Sequence, residues 1–241
     1  MIDFHNHILW GIDDGPQSIE ESLEMIYQAI DKGIDFIITT PHYYEGKFEV
    51  NREEIERKAN ILNQILIERN LNLRIIWGQE IHLNENLLEK IDHEIIGPLD
   101  GSQYILIELS FIDIPLYTYK FLIEIIKKGY NPIIAHPERY KSIQKDVDIL
   151  EKLVDIGCIL QLNAGSILGK HGKSAKKLAK YMIKYHKFHI IGSDAHDTKF
   201  RPFLIDKAYK KVKSVEFKDY LIKNVESLIS NRSIERFKYF Q

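Results

Sequence analysis

The chain begins with the segment Met1-Ile2-Asp3-Phe4-His5-Asn6-His7-Ile8, in which two histidines are separated by one residue. The apolar character of Ile2–Ile8 predicts a strand, and alternate side chains of a strand face the same side. His5 and His7 are therefore expected to present two imidazoles to one point. Two carboxylates, Asp13 and Asp14, follow within reach of a loop. This combination predicts a metal site at the end of the first strand.

The same strand pattern recurs along the chain. Six further apolar runs predict strands, and these are Phe36–Thr40, Leu73–Ile81, Tyr104–Leu109, Pro132–Ala135, Cys158–Leu162 and Phe188–Gly192. Segments with helical periodicity separate the runs. Seven alternations of strand and helix predict a parallel α/β arrangement. No glycine-rich phosphate loop follows the first strand, so a closed barrel is favoured over an open, doubly wound sheet.

Helix boundaries are marked by capping residues. Ser18-Ile19-Glu20-Glu21 is a capping box that begins a helix ending at Lys32-Gly33. Asn51 is expected to cap a helix that runs to about Asn70, and Gly129 and Gly157 to end two more. The remaining predicted helices are Lys173–His186, Phe203–Val212 and Phe217–Ile229.

Length and composition limit the class of protein. A chain of 241 residues with 44% hydrophobic and 28% charged residues is typical of one barrel-type domain, here predicted to span residues 1–241. The net charge of −2 offers no basic surface for nucleic acid, and the single cysteine excludes an internal disulfide and a thiolate metal cage. Neither a leader peptide nor a membrane span is recognisable, so a cytoplasmic protein is expected.

Metal-ligating residue types end six of the seven predicted strands. In parallel barrels the functional groups collect at this carboxyl end. The nine candidate metal ligands are His5, His7, Asp14, His42, Glu80, Glu108, His136, Asp194 and His196. Imidazoles and carboxylates without thiolates suit Mn²⁺, Fe²⁺ or Zn²⁺. Nine ligands exceed what one or two ions use, so three ions with one bridging carboxylate fit the number.

Each candidate taken alone has a structural alternative. A buried histidine after a strand is usually a hydrogen-bonded core residue, and Glu80 or Glu108 could pair with a lysine. The recurrence at six strand ends favours a metal site. His82 is expected outside the ligand set, and Cys158 is expected to be a small buried hydrophobe. Four other histidines are expected at the surface, and these are His93, His171, His186 and His189.

These motifs resemble the PHP (polymerase and histidinol phosphatase) superfamily, and within it the CpsB/CapC-type bacterial protein-tyrosine phosphatases. The similarity covers nearly the whole chain. Beyond His5-Asn6-His7, the matching motifs are Gly11-Ile12-Asp13-Asp14-Gly15, Thr40-Pro41-His42, Gly78-Gln79-Glu80, Ala135-His136-Pro137-Glu138-Arg139, Asn163-Ala164-Gly165-Ser166 with Gly169, and Ser193-Asp194-Ala195-His196. The wider superfamily commonly has a histidine near Asp14 and in place of Glu108, so these two residues are specific to the subfamily. Trp10 departs from a proline that is frequent there.

The resemblance implies a distorted (β/α)7 barrel of seven strands with a trinuclear centre that typically holds manganese. It implies that His5, His7 and Asp194 hold the first ion and that Glu80 bridges to the second. The other implied ligands are Glu108 and His136 for the second ion, and Asp14, His42 and His196 for the third. Arg139 and Arg201 match arginines that grip the phosphate; their structural alternative is an ion pair with Glu138 or a nearby aspartate.

The implied activity is hydrolysis of phosphotyrosine by a metal-bound hydroxide. The implied substrate is an autophosphorylating bacterial tyrosine kinase in capsule or exopolysaccharide regulation. A cysteine-based phosphatase route is excluded, because the residue six after Cys158 is Ala164 rather than arginine. A phenolate leaves with little protonation, whereas an alkyl ester needs a stronger general acid. Four aromatic residues are candidates to flank a substrate ring, and these are Trp10, Tyr43, Tyr44 and Phe111.

Three other functions stay open at this point. The first is a small-molecule phosphatase of the same superfamily, with histidinol phosphate as the obvious substrate. The second is a catalytically idle regulator that binds a kinase tail and uses metals only structurally. The third is metal-dependent hydrolysis of an amide. A panel of aryl and alkyl phosphate esters with metal-dependent assays separates these alternatives from tyrosine phosphatase activity.

Overall fold

The computed structural model describes residues 1–234, and residues 235–241 of the predicted domain lie outside the described chain. Nine short strands are present in the described part, and every pairing between them is parallel. The strands are β1 (Ile2–Asp3), β2 (Phe36–Thr39), β3 (His42–Tyr43), β4 (Arg74–Trp77), β5 (Glu80–His82), β6 (Tyr104–Glu108), β7 (Asn131–Ile134), β8 (Ile159–Asn163) and β9 (Ile190–Gly192).

Nine strands occupy seven positions because two of the predicted strands are broken. β2 and β3 are separated by Thr40 and Pro41, and β4 and β5 by Gly78 and Gln79. The first half of each broken strand joins a sheet of order β1-β2-β4, and the second half joins a sheet of order β3-β5-β6-β7-β8-β9. The prediction of one continuous strand over Leu73–Ile81 is therefore wrong, since the chain changes sheets at Gly78. The seven-position parallel arrangement is confirmed.

The first and last positions are joined beyond the ends of their regular strands. The backbone N–H of His7 donates to Ala195 O at 2.8 Å, and that of Asp194 donates to His5 O at 2.7 Å. The carboxylate of Asp3 accepts a bond from the backbone N–H of Ser193 at 2.9 Å. Regular pairing of the first strand ends at Asp3 rather than at the predicted Ile8 because these later bonds form only an isolated bridge. They close the curled sheet into the predicted distorted barrel.

Ten α-helices surround the strands within residues 1–234. They are α1 (Ile19–Asp31), α2 (Arg52–Glu68), α3 (Leu87–Asp92), α4 (Tyr117–Lys127), α5 (Lys141–Lys145), α6 (Asp148–Ile156), α7 (Ala164–Leu168), α8 (Gly172–Lys184), α9 (Ile205–Tyr209) and α10 (Val215–Ile229). The predicted caps of α1 and α2 are confirmed, because Ser18 Oγ accepts from Glu21 N at 3.3 Å and Asn51 Oδ1 from Glu54 N at 2.9 Å. The short helices α3, α5 and α7 were not predicted. No helix of this part of the chain combines the length and apolar character needed to cross a membrane.

Apolar side chains fill both faces of the curled sheet. Leu106, Ile133 and Ile159 are in register on β6, β7 and β8 and belong to one buried cluster, which Val225 and Leu228 of α10 cover. The alternate residues of the same strands pack with the outer helices in a larger cluster. Because both faces are occupied, the polar residues concentrate where the strands end, and that end carries the candidate site.

Candidate metal centre

All nine predicted ligands meet at the carboxyl ends of the strands. They form three adjoining clusters, and within each cluster the potential ligand atoms lie within 4.8 Å of one another. The first cluster is His5, His7, Glu80 and Asp194, the second is Glu80, Glu108 and His136, and the third is His7, Asp14, His42 and His196. These sets coincide with the three implied by the family resemblance, except that His7 belongs to the third cluster as well as the first.

Glu80 lies at the junction of the clusters and is fully buried. Its Oε2 atom is 3.3 Å from His5 Nε2 and 3.0 Å from His42 Nδ1, while its Oε1 atom is 2.9 Å from His136 Nε2. Burial disfavours the carboxylate, but the surrounding imidazoles outweigh it and hold the pKa of Glu80 well below its usual value. A carboxylate whose two oxygens face different histidine clusters is suited to bridge two cations.

The histidine rings are oriented by acceptors on their outer side. In three of the rings the Nδ1 atom faces an oxygen acceptor. Gln161 Oε1 is 3.1 Å from Nδ1 of His5, and Asp13 Oδ2 is 2.7 Å from Nδ1 of His7. The backbone oxygen of Asp194 is 3.0 Å from Nδ1 of His196. Metal-ligating histidines usually make such a contact, because it fixes the tautomer that leaves the other nitrogen free to bind a cation. The Nε2 atoms of all three rings face the clusters.

Two buried polar atoms test whether the clusters fit a metal. Glu80 Oε2 and His196 Nε2 are buried and make no well-oriented hydrogen bond among the described residues, although His42 Nδ1 lies 3.0 Å from the first atom and Asp14 Oδ1 3.3 Å from the second. An unsatisfied buried polar atom is costly, and a divalent cation held between the clusters would satisfy both. Imidazole nitrogens and carboxylate oxygens are ligands for Mn²⁺, Fe²⁺ and Zn²⁺. The residues present therefore fit divalent metal ions.

The protonation of the histidines reflects the dense negative charge. Burial lowers the pKa of His5, but the Glu80 carboxylate outweighs burial and raises that pKa to about 9. Glu80 likewise raises the pKa of His42 to about 10 against the effect of burial. Burial and the neighbouring His7 instead lower the pKa of His196 to about 4. Because cations bind the neutral rings, metal binding must displace protons from His5 and His42 and is weakened at low pH.

Both predicted arginines reach the mouth of the site. Arg139 Nη1 donates to Asp194 Oδ2 at 2.7 Å, and Arg201 Nη2 donates to Asp194 Oδ1 at 2.8 Å. The structure thus shows the ion pair with an aspartate, rather than one with Glu138. The two arginines also line a cavity of about 300 Å³ that includes Asp14, His42, Glu108, His136 and Asp194. A group entering this cavity meets both guanidinium groups and residues of all three clusters.

Aromatic rings form the walls of the same cavity. Phe48 is stacked on His42 with ring centres 5.8 Å apart, and Phe111 is stacked on His136 at 5.7 Å. Tyr44 also lines the cavity, so two of the four predicted aromatics are there. The other two are not: Tyr43 is 3% exposed within the core, and the ring of Trp10 packs against Lys58. Phe48 was missed because it lies in the loop after β3, outside any strand end.

Two residues of the clusters have an unusual backbone. His136 has φ 33° and Asp194 has φ 55°, values that non-glycine residues rarely adopt. Strained conformations of this kind concentrate at functional sites, where surrounding contacts hold them. The sequence carries no signal for either angle.

Three residues that hold the candidate ligands in place were given no such role from the sequence, although Asp13 and Asn163 were named there. Asp13 Oδ2 accepts from the backbone N–H of His42 at 2.8 Å in addition to its contact with His7. Gln161 Oε1 accepts from His136 N at 3.0 Å, and Asn163 Nδ2 donates to Asp194 Oδ2 at 2.8 Å. The signal was present, because Gln161 and Asn163 alternate with leucines on a buried strand and so point to one side together.

The predictions for the other histidines and the cysteine agree only in part with the structure. His82 lies outside the three clusters as expected, although its Nδ1 atom is 3.2 Å from Glu108 Oε2. His93 is exposed, whereas His171 and His186 are half-buried. The surface prediction is wrong for His189, which is 3% exposed because its Nδ1 accepts the backbone N–H of Leu160 inside the fold. Cys158 is buried as expected, and burial raises its thiol pKa to about 12.

Comparisons with known proteins agree with this arrangement. Residues 1–230 match the family model described as capsular polysaccharide synthesis, CpsB/CapC. A putative tyrosine-protein phosphatase CapC of Staphylococcus aureus is 37% identical over 98% of this chain and 94% of its own length. The tyrosine-protein phosphatase YwqE of Bacillus subtilis is 34% identical over the same shares of the two chains, 98% and 94%.

A solved structure is similar over almost the whole fold. It is one of the crystal structures of YwqE from Bacillus subtilis and CpsB from Streptococcus pneumoniae, which are described as unique metal-dependent tyrosine phosphatases. The TM-score is 0.92, with 34% identity over 98% of this chain and 97% of that chain. The family match over residues 1–230 and these full-length similarities show that the chain belongs to the CpsB/CapC family of capsular polysaccharide synthesis.

Proposed function

We propose that this protein is a metal-dependent protein-tyrosine phosphatase that removes phosphate from tyrosines of a protein substrate. The observation that carries the proposal is the set of three adjoining ligand clusters beneath a cavity with two arginines at its mouth. The names of the full-length relatives support the same activity.

Three divalent ions are proposed to occupy the clusters, with Mn²⁺ as the expected metal and Fe²⁺ or Zn²⁺ as alternatives. His5, His7 and Asp194 would hold the first ion, with Glu80 shared between it and the second. Glu108 and His136 would complete the second site, and Asp14, His42 and His196 the third. When bound, such ions neutralise phosphoryl oxygens and make hydroxide available near neutral pH.

Arg139 and Arg201 are proposed to hold the phosphoryl group. Both donate to Asp194, and both line the cavity, where a phosphate dianion would offer their remaining N–H groups further acceptors. A planar guanidinium can bind two oxygens of one phosphate at once, which a lysine cannot do. The ring of Phe111 lies against the Arg139 guanidinium at 4.9 Å and restricts its position.

The cavity walls suit an aryl ester. Phe48 and Phe111 stand over His42 and His136, so a phenyl ring entering between them has apolar faces to contact. The sequence neighbours of two lining residues are exposed and apolar: Ile112, next to Phe111, is 70% exposed, and Phe200, next to Arg201, is 85% exposed. Such a rim favours a polypeptide substrate over a small polar phosphate.

A cysteine nucleophile plays no part in this proposal. Cys158 immediately precedes β8, is 2% exposed and keeps its proton because burial raises its pKa to about 12. Reactive cysteines have the opposite character, with a lowered pKa and some exposure. Thiol reagents should therefore leave activity intact, whereas metal chelators should remove it.

The proposed partner is an autophosphorylating bacterial tyrosine kinase that acts in capsule or exopolysaccharide regulation. The family description as capsular polysaccharide synthesis supports this context. Because tyrosine phosphorylation consumes ATP, the proposed encounter takes place in the cytoplasm. No nucleic-acid partner is proposed for a chain with a net charge of −2.

Activity should depend on the leaving group, and this dependence tests the proposed function. We expect Mn²⁺-loaded protein to hydrolyse phenyl phosphate and phosphotyrosine peptides at least about 100-fold faster than phosphoserine peptides or histidinol phosphate, because a phenolate leaves with little protonation whereas an alkoxide requires a strong general acid. The measurement is kcat/KM for each ester, with chelator-treated protein as the control. Rapid turnover of histidinol phosphate with slow turnover of phosphotyrosine would show a small-molecule phosphatase instead.

A further inference from the structure

A second cavity, separate from the metal clusters, lies along helix α8. Its volume is about 650 Å³, and five lysines line it: Lys176, Lys180 and Lys184 on α8, and Lys211 and Lys213 in the segment between α9 and α10. None of these five lysines has a carboxylate within ion-pair distance among residues 1–234, although Glu216 lies near His186 at one end. Within the described residues the cavity therefore concentrates five lysines without ion pairs, in a chain whose net charge is −2.

The arrangement of these lysines works against the stability of α8. Lys176, Lys180 and Lys184 recur every four residues on one helix face, and like charges at this spacing destabilise a helix. The segment from Lys170 to Lys187 contains seven lysines and no acidic residue. Lysines near the amino end of α8 also oppose the helix dipole. An anionic ligand would offset both effects.

The floor of the cavity is apolar. Ile167, Ile183 and Val212 line it beneath the lysines. A flat anionic membrane would meet the charged rim but not this concave floor, whereas a peptide can place one apolar side chain in the cavity and acidic side chains against the rim. The lysines present mobile point charges without the fork of arginine, which suits carboxylates at varied positions. The shape and charge together favour an acidic peptide with an apolar anchor.

The cavity is connected to the metal centre through one short helix. Asn163, which donates to Asp194 in the first cluster, caps α7, and Ile167 of the same helix lines the cavity. Four helical residues span about 6 Å. Most of α7 is buried, so a substrate segment with its phosphotyrosine in the metal centre must pass around this helix to reach the lysines.

We propose that the lysine-lined cavity is a docking site for an acidic segment that flanks the phosphotyrosine of a protein substrate. The assignment of the occupant as a substrate segment rests on the proposed phosphatase function. The binding of an acidic peptide to the cavity does not rest on that function. The docking site and the phosphatase function can therefore fail separately.

The test compares two phosphotyrosine peptides with the same core. One carries four glutamates and a leucine, placed in a series of peptides at increasing spacing from the phosphotyrosine, and the other has glutamine in place of each glutamate. Each peptide is made with the flank on either side. The protein should prefer the acidic peptide about tenfold in kcat/KM at low salt, mainly through KM, since charges at an interface rim act on encounter. The preference should shrink at high salt.

The variant Lys180→Glu/Lys211→Glu should reduce this acidic-to-neutral ratio to about 1. Taking the ratio within one preparation cancels differences in folding and metal content. The matched control is Lys120→Glu/Lys152→Glu, which makes the same charge change at exposed lysines of α4 and α6 and should keep the preference. The proposal is overturned if the protein shows no preference, if Lys180→Glu/Lys211→Glu keeps it, or if the control loses it equally.

A binding measurement separates this proposal from the proposed function. A fluorescein-labelled acidic peptide without phosphotyrosine should raise its anisotropy with the unmodified protein and the control, but not with Lys180→Glu/Lys211→Glu. This result would support the docking site even if no phosphate ester were hydrolysed. The protein is also sedimented with phosphatidylglycerol vesicles. If it binds the vesicles through Lys180 and Lys211 but does not bind the peptide, the peptide assignment is overturned in favour of a membrane surface.

Discussion

Glu80 is the residue on which the proposed trinuclear site depends most. It is fully buried, belongs to two clusters and faces the imidazoles of His5, His42 and His136 with its two oxygens. His82, two residues later on β5, touches only the edge of the site through Glu108 and stacks against Tyr44. The two neighbours therefore allow a matched comparison between a bridging ligand and a residue that supports one.

Glu80→Gln should remove most of the metal and most of the activity, because an amide keeps the volume of the side chain but not the charge that offsets two cations. His82→Gln should cost at most about 10- to 100-fold in rate, the range for groups that orient a ligand. Metal content by mass spectrometry and hydrolysis of an aryl phosphate are measured together on both variants. Full metal content in Glu80→Gln, or equal losses in the two variants, would contradict the bridging role.

Arg139 and Arg201 should act on the rate rather than on the fold. Replacing either by alanine should lower kcat by roughly 100-fold, as loss of a preorganised charge-stabilising group does elsewhere. Arg→Lys should recover little, since the charge remains but the two-pronged contact is lost. kcat and KM are compared at matched metal content, with thermal unfolding as the check on folding. Near-normal rates in the alanine variants would reduce the arginines to ion-pair partners of Asp194.

At the scale of elements, the strand ends and their loops position the ligands. The loop after β1 folds back so that Asp13 Oδ1 accepts from Gly15 N at 2.9 Å while Asp13 Oδ2 reaches His7 and the backbone of His42. A Cβ atom at Gly15 would overlap the backbone oxygen of His7. Glycine is therefore required here by close approach of two backbone segments and not by an unusual φ.

Gly15→Ala should displace both Asp14 and His7 and so lower metal content and activity, with a destabilisation of about 1–3 kcal/mol from overpacking. Gly33→Ala is the control, since Gly33 has φ 75° but open space around it. That control should lower the free energy of unfolding by about 1–2 kcal/mol without loss of metal. Denaturant unfolding and metal analysis on both variants give the comparison. Normal metal content in Gly15→Ala would show that the loop does not set the third cluster.

The elements also show which features the sequence could predict. The strand alternation, the caps at Ser18 and Asn51 and the convergence of the nine candidate ligands follow from local patterns, because burial and capping leave a direct mark on residue type. The strand breaks at Thr40-Pro41 and Gly78-Gln79 do not, because the change of sheet is decided by pairing partners far along the chain. The left-handed backbone of His136 and Asp194 is likewise imposed by tertiary contacts.

At the scale of the whole molecule, the site and the closure of the barrel are formed by the same residues. His5 and His7 lie in one cluster with Asp194, and their backbones bond to Asp194 and Ala195 where the first and last strand positions join. The candidate ligands range from His5 to His196, so the three clusters form only when the whole chain folds. Ions bound at the proposed site would stabilise the closed barrel, because ligands that bind only the folded state raise its stability.

The number of ions per chain tests the central claim most directly. Protein freed of metal, equilibrated with excess Mn²⁺ and separated from unbound metal should retain close to three ions per chain by mass spectrometry, because the three clusters share only His7 and Glu80. Aryl phosphatase activity should rise with the bound metal and reach its full value only at that content. Saturation at one ion per chain, with full activity, would contradict the trinuclear account.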